Sequence, residues 1–507
     1  MFLNSIFLID FYKVGHINQY PKDITQVWSN WTPRYSHVKD ATEVIHFGLQ
    51  YLIMKYFLNE FQENFFNQKL ELVIHEYKLV ISKTLGIKNP RTDHIEWLWK
   101  KGYLPIDIYS VPEGDSVPLG IPMMVITNTE PEAFWLPNYL ETLISNILWK
   151  PSTSASTAQR FRQLFEKYAI ASGEEDLSFI DWMGHDFSMR GMSGIEDAIL
   201  SGMGHLLSFS GTDSLPAILA AQSYYLADLS CGGSVNATEH SVMCAGGMDD
   251  EFGTFERLLT EVYTDGIVSI VSDTWDLWKV LTNFIPRLKD KILARDGKIV
   301  IRPDSGDPVK IVIGDEKELR SGEQYNMYKH PAYYGTMALL GDKLGTISRD
   351  NIDALPLINK GAVIYGDGIS VERAERILDG IVNKLKLSPY NMVFGIGSYT
   401  YEYVTRDTYG FAMKATAVRK GGFKCIGGKL EGGTIVDIFK SPITDSGGKI
   451  SHKGIPIVYE VHGKYIVKQS GKPEDLDNCS FRKVFSNGEL LIFDTFDTIR
   501  QRVRKAA

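Results

Sequence analysis

The stretch Lys298-Ile-Val-Ile-Arg302-Pro-Asp304-Ser-Gly306-Asp-Pro308 decides the fold. A β-branched run stops abruptly at an arginine, a carboxylate and a glycine, which reads as a short buried strand ending in a polar turn. Two similar runs follow. Ala362-Val-Ile-Tyr365 ends in Gly366-Asp367-Gly368, and Met392-Val-Phe394 ends in Gly395-Ile-Gly397-Ser398. Glycines at such ends let backbone N–H groups approach phosphate oxygens. Arg302 adds a fork for phosphate, and the carboxylates add ligands for Mg2+ or sugar hydroxyls. Together the three endings imply an enzyme that handles a phosphorylated sugar.

Working outward, the same order of apolar strand, polar turn and helix recurs from about residue 177 to 400. Strands are expected at 179–183, running into Gly184-His185-Asp186-Phe187, and at 206–209, running into Gly211-Thr212-Asp213. A helix over 215–226 follows the second. A third strand, 267–271, runs into Ser272-Asp273 and a helix over 275–281. Ser370 caps a helix in which Ala374, Ile377, Leu378, Ile381, Val382 and Leu385 form one apolar stripe. Strands alternating with helices give a parallel sheet. Six or more such units favour a closed or irregular (β/α) barrel over an open doubly wound sheet, with functional residues at the C-terminal ends of the strands.

The flanks read differently. Residues 10–150 mix helical stretches (47–68, 132–149) with a strand near 106–111, and the chain from about 410 is rich in strands and turns. A β-rich domain built from both chain ends is expected, from 1–150 and 406–507, around a catalytic barrel over 151–405. Gly421-Gly422 through Gly432-Gly433 reads as an exposed loop or hairpin.

The 507 residues include 44% apolar and 23% charged side chains, ordinary for a soluble globular protein. A net charge of −8 argues against a nucleic-acid binder. Cys231, Cys244, Cys425 and Cys479 show no C-x-x-C spacing, so reduced, buried thiols and a cytoplasmic location are expected. The apolar start lacks a basic segment and soon meets Asp10, and no run is long enough to cross a bilayer.

Neither a P-loop, a dinucleotide-binding glycine motif nor a zincin helix is present. Taken singly, His240 reads as a structural hydrogen-bonder, Asp213 as a helix cap and Phe187 as core packing. Their clustering at successive strand ends favours a site. Here the residues match a family. Asp10-Phe-Tyr12-Lys13-Val-Gly-His16, His185-Asp-Phe187-Ser-Met-Arg190-Gly191, Gly211-Thr-Asp213, Ala237-Thr-Glu239-His240-Ser241, Val271-Ser272-Asp273, Ile301-Arg302-Pro-Asp304-Ser-Gly306 and Gly366-Asp367-Gly368 occur in its order. Over about residues 8–500 the chain closely resembles the nicotinamide phosphoribosyltransferases, of the type II phosphoribosyltransferase family.

The resemblance implies an irregular barrel of that type and transfer of phosphoribosyl from phosphoribosyl pyrophosphate to nicotinamide. It implies Phe187 on one face of the nicotinamide ring and Tyr12 on the other, from the second subunit of a homodimer. It places Asp213 on the carboxamide N–H, Arg302 on its oxygen, Asp304 on ribose hydroxyls, and Gly366, Asp367 and Gly397 around the 5′-phosphate. Ser234 joins the substrate-binding set. Arg34, Arg406, Lys414 and Lys440, with Arg190 nearby, resemble the residues around pyrophosphate. His240 is implied to take a phosphoryl group from ATP, with Asp276 as its carboxylate partner and Mg2+ as cofactor.

The chain departs from the family pattern at Ala362, where an arginine is expected, at Ser398-Tyr399 in a glycine-rich turn, before Lys414, and in an inserted segment, 419–433. The nearest rival is a nicotinate phosphoribosyltransferase, which Asp213 disfavours because it would repel a carboxylate substrate. A sugar-phosphate aldolase or isomerase lacks a placeable Schiff-base lysine, and a non-catalytic binding protein would not need the complete site.

Overall fold

The protein is described by a computed structural model covering residues 3–505, except 319–325, 327–328, 350, 352, 425–429 and 445–449. The chain forms two compact units. One consists of Thr157–Leu219 and Asp228–Tyr403, the other of Met1–Ser156, Ala220–Ala227 and Val404–Ala506.

In the first unit seven parallel strands lie among the described residues: β1 (Gly184–Asp186), β2 (Gly211–Thr212), β3 (Asn236–Ala237), β4 (Val268–Val271), β5 (Ile299–Arg302), β6 (Gly361–Tyr365) and β7 (Met392–Ile396). Their order is β2-β1-β7-β6-β5-β4-β3. Except between β2 and β3, strands adjacent in sequence pair with each other, and β7 returns to β1. A single bridge, Gly211 to Gly233 just before β3, spans the remaining seam. The sheet curls into an irregular barrel.

Alternation along the strands sorts side chains between two apolar layers. Ile299, Ile301, Val363, Tyr365, Met392, Phe394 and Ile396 join the large core shared with the surrounding helices. Val300, Ala362 and Ile364 form a small cluster on the opposite face, enclosed by the ring. Register sets Val300 beside Ala362 and Ile364 beside Val393. Ala362 is thus part of the barrel filling. The helix Val371–Asp379 is capped by the Ser370 hydroxyl on the Arg373 amide, and its expected stripe is buried through Val382.

Two expected strands are corrected. Residues Ile180–Met183 form a helical turn, and 206–209 lie at the end of the helix Ile195–Leu206 and the turn after it. Their apolar side chains are buried from helical or turn backbone, and β1 and β2 begin only afterwards. Short apolar runs carry no period that separates the two cases.

The second unit holds an antiparallel sheet in the order Thr434–Asp437, Phe411–Lys420, Ile24–Pro33, Met124–Asn128, Ile106–Ser110, Arg482–Ser486, Glu489–Leu490. Three strands from the N-terminal side form the centre of the sheet and two from the C-terminal side flank each edge, so neither flank completes the sheet alone. Ala220–Ala227 belongs here although it lies within 151–405. Tyr225 is fully buried, its ring 5.2 Å from Phe47 and 6.3 Å from Phe496. Phe423–Lys424 pairs with Leu430–Glu431, so the segment 419–433 carries a small hairpin whose tip lies outside the described residues. Cys231 is buried, as expected, but Cys244 is exposed on the helix His240–Ala245; neither they nor Cys479 form a disulfide among the described residues. Cys425 lies outside the described residues. No described helix is long and apolar enough to cross a membrane.

Candidate active site

β1 delivers Phe187, whose amide donates to the Ile396 carbonyl of β7 at 3.0 Å. Its ring rests on the enclosed cluster of Val300, Ala362 and Ile364. It also lies directly over two glycines. A β-carbon at Gly395 would stand 2.5 Å from the ring, and one at Gly366 2.9 Å, so these strand ends must be glycine for the ring to sit there. The Arg302 guanidinium lies 5.2 Å from the ring centroid.

Asp213 follows β2. The Thr212 hydroxyl accepts from the Ser214 amide at 2.9 Å, which leaves the Asp213 carboxylate for other partners. Its Oδ1 accepts from His185 Nε2 at 2.9 Å and from the Ser234 hydroxyl at 2.7 Å. Burial acts to raise its pKa. The His185 and Ser234 hydrogen bonds, with the charges of His185 and Arg302, outweigh that and hold the carboxyl below its ordinary range. Asp213 is an ionised acceptor, not a helix cap. The His185 ring is 4.8 Å from that of Phe187, so the carboxylate is positioned from beside the aromatic platform.

His240 is half exposed at the start of the helix His240–Ala245. The expected partner Asp276 does not serve it. Asp276 caps the next helix, accepting from the amides of Trp278 and Lys279 at 3.0 and 3.1 Å. The carboxylate facing His240 is Asp273, with Oδ1 3.6 Å from His240 Nε2. Asp273 Oδ1 is buried without a hydrogen-bond partner, while Oδ2 accepts from the Asp304 amide (2.9 Å) and the Ser305 hydroxyl (2.6 Å). One side chain thus fixes the loop after β5 and faces His240. Asp273 ends a strand just as Asp304 and Asp367 do, and that signal identifies it in the sequence. Asp276 sits where aspartate is favoured simply as a cap.

Asp304 lies 3.7 Å from Arg302. The Tyr365 hydroxyl donates to the Gly306 carbonyl at 2.9 Å, and burial, with the charges of Asp367, Asp273, Asp304 and Asp307, raises its pKa strongly. Gly397 caps the short helix Ser398–Tyr401. Exposed Arg190 occupies the turn Met189–Gly191, which packs closely on Ser398.

In the other unit the strand pairing sets Lys414 opposite Asn30. Lys414 and Arg34 line a cavity of about 200 Å3 with Asn30, Thr32, Ser451 and His452. Tyr12 and Arg406 line another of about 220 Å3 with Asp10 and Glu141. Lys13, missed as a site residue, is buried and ion-paired to Glu141, whose other oxygen is 3.8 Å from Lys414. Lys440 is exposed, its backbone bonded to Ser451 at 2.8 and 3.0 Å. Burial lowers the pKa of Lys414. Glu141 opposes that, and Arg34, Lys13 and Arg406 reinforce it. Positive charge held this close together favours a multivalent anion.

A parallel barrel whose strand ends present a ring platform, an arginine, carboxylates and glycine turns has the make-up of a phosphoribosyl-transferring enzyme. Residues 183–489 match the nicotinate phosphoribosyltransferase (NAPRTase) family, and residues 4–80 match the nicotinamide phosphoribosyltransferase N-terminal domain. The chain is 42% identical over 513 residues to nicotinamide phosphoribosyltransferase of Acinetobacter baylyi, covering 99% of this chain and 97% of that protein. It is 32% identical to the protein of the same name from Mycoplasma genitalium, over 90% of this chain and 97% of that one. Among solved structures it resembles nicotinate-nucleotide pyrophosphorylase from Pyrococcus furiosus, with TM-score 0.59 and 15% identity over 99% and 95% of the two chains. It also resembles human nicotinic acid phosphoribosyltransferase, with TM-score 0.53 and 13% identity over 98% and 93%. The two likenesses show the same fold. The chain belongs to the nicotinate phosphoribosyltransferase family, and it is an enzyme of phosphoribosyl transfer.

Proposed function

We propose that the enzyme transfers the phosphoribosyl group of phosphoribosyl pyrophosphate to nicotinamide in NAD salvage, giving nicotinamide mononucleotide and pyrophosphate. The observation that carries the choice of base is the ionised Asp213 carboxylate, set by His185 and Ser234 beside the Phe187 ring. It accepts a carboxamide N–H and repels the carboxylate of nicotinate. The names of the relatives agree with that choice.

In the reaction the pyridine nitrogen lone pair forms the bond to the anomeric carbon as the carbon–oxygen bond to pyrophosphate breaks, and the electrons leave with pyrophosphate. No proton moves. The enzyme orients the ring on Phe187, with Arg302 on the amide oxygen and Asp304 on ribose hydroxyls, and gathers the departing charge. Lys13, Arg34, Arg406, Lys414 and Lys440 suit that anion. Tyr12, largely exposed, completes the ring site of the partner subunit in a homodimer.

Among the described residues no three His, Cys, Asp or Glu side chains are grouped to hold a metal. A magnesium ion brought in on pyrophosphate needs only one or two carboxylates besides phosphate oxygens and water. Asp304 would hold it, and it would neutralise charge on the leaving group. ATP coupling through a phosphorylated His240, oriented by Asp273, and a cytoplasmic location complete the proposal. Incubating the protein with nicotinamide or nicotinate and phosphoribosyl pyrophosphate, with and without ATP, tests it. The expected result is mononucleotide from nicotinamide, formed faster with ATP. Equal or better use of nicotinate would overturn the choice of base.

A further inference from the structure

The turn Gly366-Asp367-Gly368 after β6 and the turn beginning at Gly397 after β7 are neighbours, because β6 and β7 pair directly. Both suit a 5′-phosphate by their backbone N–H groups, yet the first carries an exposed carboxylate, Asp367, that repels one. β6 brings no cation of its own, since Ala362 is buried in the barrel filling. A cation does stand between the two turns. Arg373, on the first turn of the helix Val371–Asp379, donates from Nη1 to the Gly368 carbonyl, and its guanidinium lies 5.2 Å from the Tyr399 ring centroid. It therefore touches the β6 turn by a hydrogen bond and the β7 turn by a cation–π contact. Among the described residues no carboxylate is ion-paired with it, although Glu372 and Glu375 are close in sequence. A positive charge in the first helical turn also opposes the helix dipole, a cost that an anion bound at that end removes.

We propose that Arg373 grips the 5′-phosphate of the nucleotide, offsetting Asp367, with Tyr399 holding the guanidinium in place. This rests on the reading of the enzyme as a nicotinamide mononucleotide-forming transferase. Planar, pre-oriented and always charged, an arginine reads phosphate as a fork and not only as a point charge.

The test is calorimetric binding of nicotinamide mononucleotide and of its dephosphorylated nucleoside to wild type, Arg373→Ala and Arg373→Lys. Arg373→Ala is expected to weaken the mononucleotide about tenfold or more while leaving the nucleoside within about twofold, and Arg373→Lys to fall between. The KM for phosphoribosyl pyrophosphate should rise in step while that for nicotinamide holds. Equal weakening of mononucleotide and nucleoside, or no weakening of either, overturns the assignment and makes Arg373 a structural tie between the turns. If Arg373→Ala does not fold, the lysine variant decides: affinity for mononucleotide equal to wild type counts against the fork. A wild type that forms mononucleotide while these variants behave alike rejects Arg373 alone. One that neither binds nor forms mononucleotide rejects the functional reading beneath it.

Discussion

Replacing Asp213 by asparagine removes one charge and little else. Asparagine Oδ1 still accepts from His185 and Ser234, which donate to the carboxylate at 2.9 and 2.7 Å, so the platform beside Phe187 should keep its shape. What changes is the interaction with a bound carboxylate. Two like charges about 4 Å apart repel by about 1 kcal/mol in bulk water and about 4 kcal/mol at the effective dielectric of a protein surface. The Asp213 side chain is 50% exposed, which places the effect toward the lower half of that range. Relief of about 1–2 kcal/mol corresponds to about 5- to 30-fold in relative efficiency. The assay is kcat/KM for nicotinamide and for nicotinate, measured on the same preparations. Asp213→Asn should lower the ratio of the two by that factor, through both a gain for nicotinate and a loss for nicotinamide. A ratio within about twofold of wild type would remove Asp213 from base selection, since charge repulsion of that size cannot stay silent.

Three further outcomes are expected. His240→Ala and Asp273→Asn should both abolish stimulation by ATP and acid-labile labelling from the γ-phosphate of ATP while keeping slow basal transfer, whereas Asp276→Asn should label normally and lose at most about 1 kcal/mol of stability as a helix cap. Mixing inactive Tyr12→Ala and Asp213→Ala chains should restore part of the activity, because one site of a mixed dimer receives both native residues; no recovery where subunits demonstrably exchange counts against a shared site. The lowered pKa of Lys414 means that its charge is lost before that of an ordinary lysine as pH rises. The KM for phosphoribosyl pyrophosphate should therefore climb on the alkaline side below the usual lysine range, and Lys414→Arg should flatten that climb; identical profiles for the two proteins would separate Lys414 from pyrophosphate.

The parts of the fold legible in the sequence are those in which local pattern and tertiary burial agree. β5, β6 and β7 are short apolar runs cut off by glycine or arginine, and the helix after Ser370 shows its stripe directly. β1 and β2 were misplaced because only three and two residues of extended chain form them, while the neighbouring apolar side chains are buried from other backbone. The site was legible as residue types at strand ends. Its wiring was not, since hydrogen-bond partners depend on register between strands distant in sequence. Asp276 and Asp273 are three positions apart and chemically identical, and only the packing assigns one to a helix end and the other to His240. Glu141 and Lys13 were hidden for a similar reason: the first opens a long helix, and the second reads as a solvated lysine until the chain buries it.

The sparsest join in the barrel has a consequence of its own. Between β2 and β3 the backbone contributes Thr212 N to Gly233 O at 2.9 Å and Gly233 N to Ser210 O at 2.8 Å, together about 1–3 kcal/mol. The next bond across that line is between side chains, from the Ser234 hydroxyl to Asp213. Under the proposed function, the carboxylate that selects the base is also a further link across the sparsest seam of the barrel. Opening at that line would part Asp213 from Ser234. In the proposed function recognition and closure are therefore linked: a base accepted by Asp213 would strengthen that seam, and one it rejects would not.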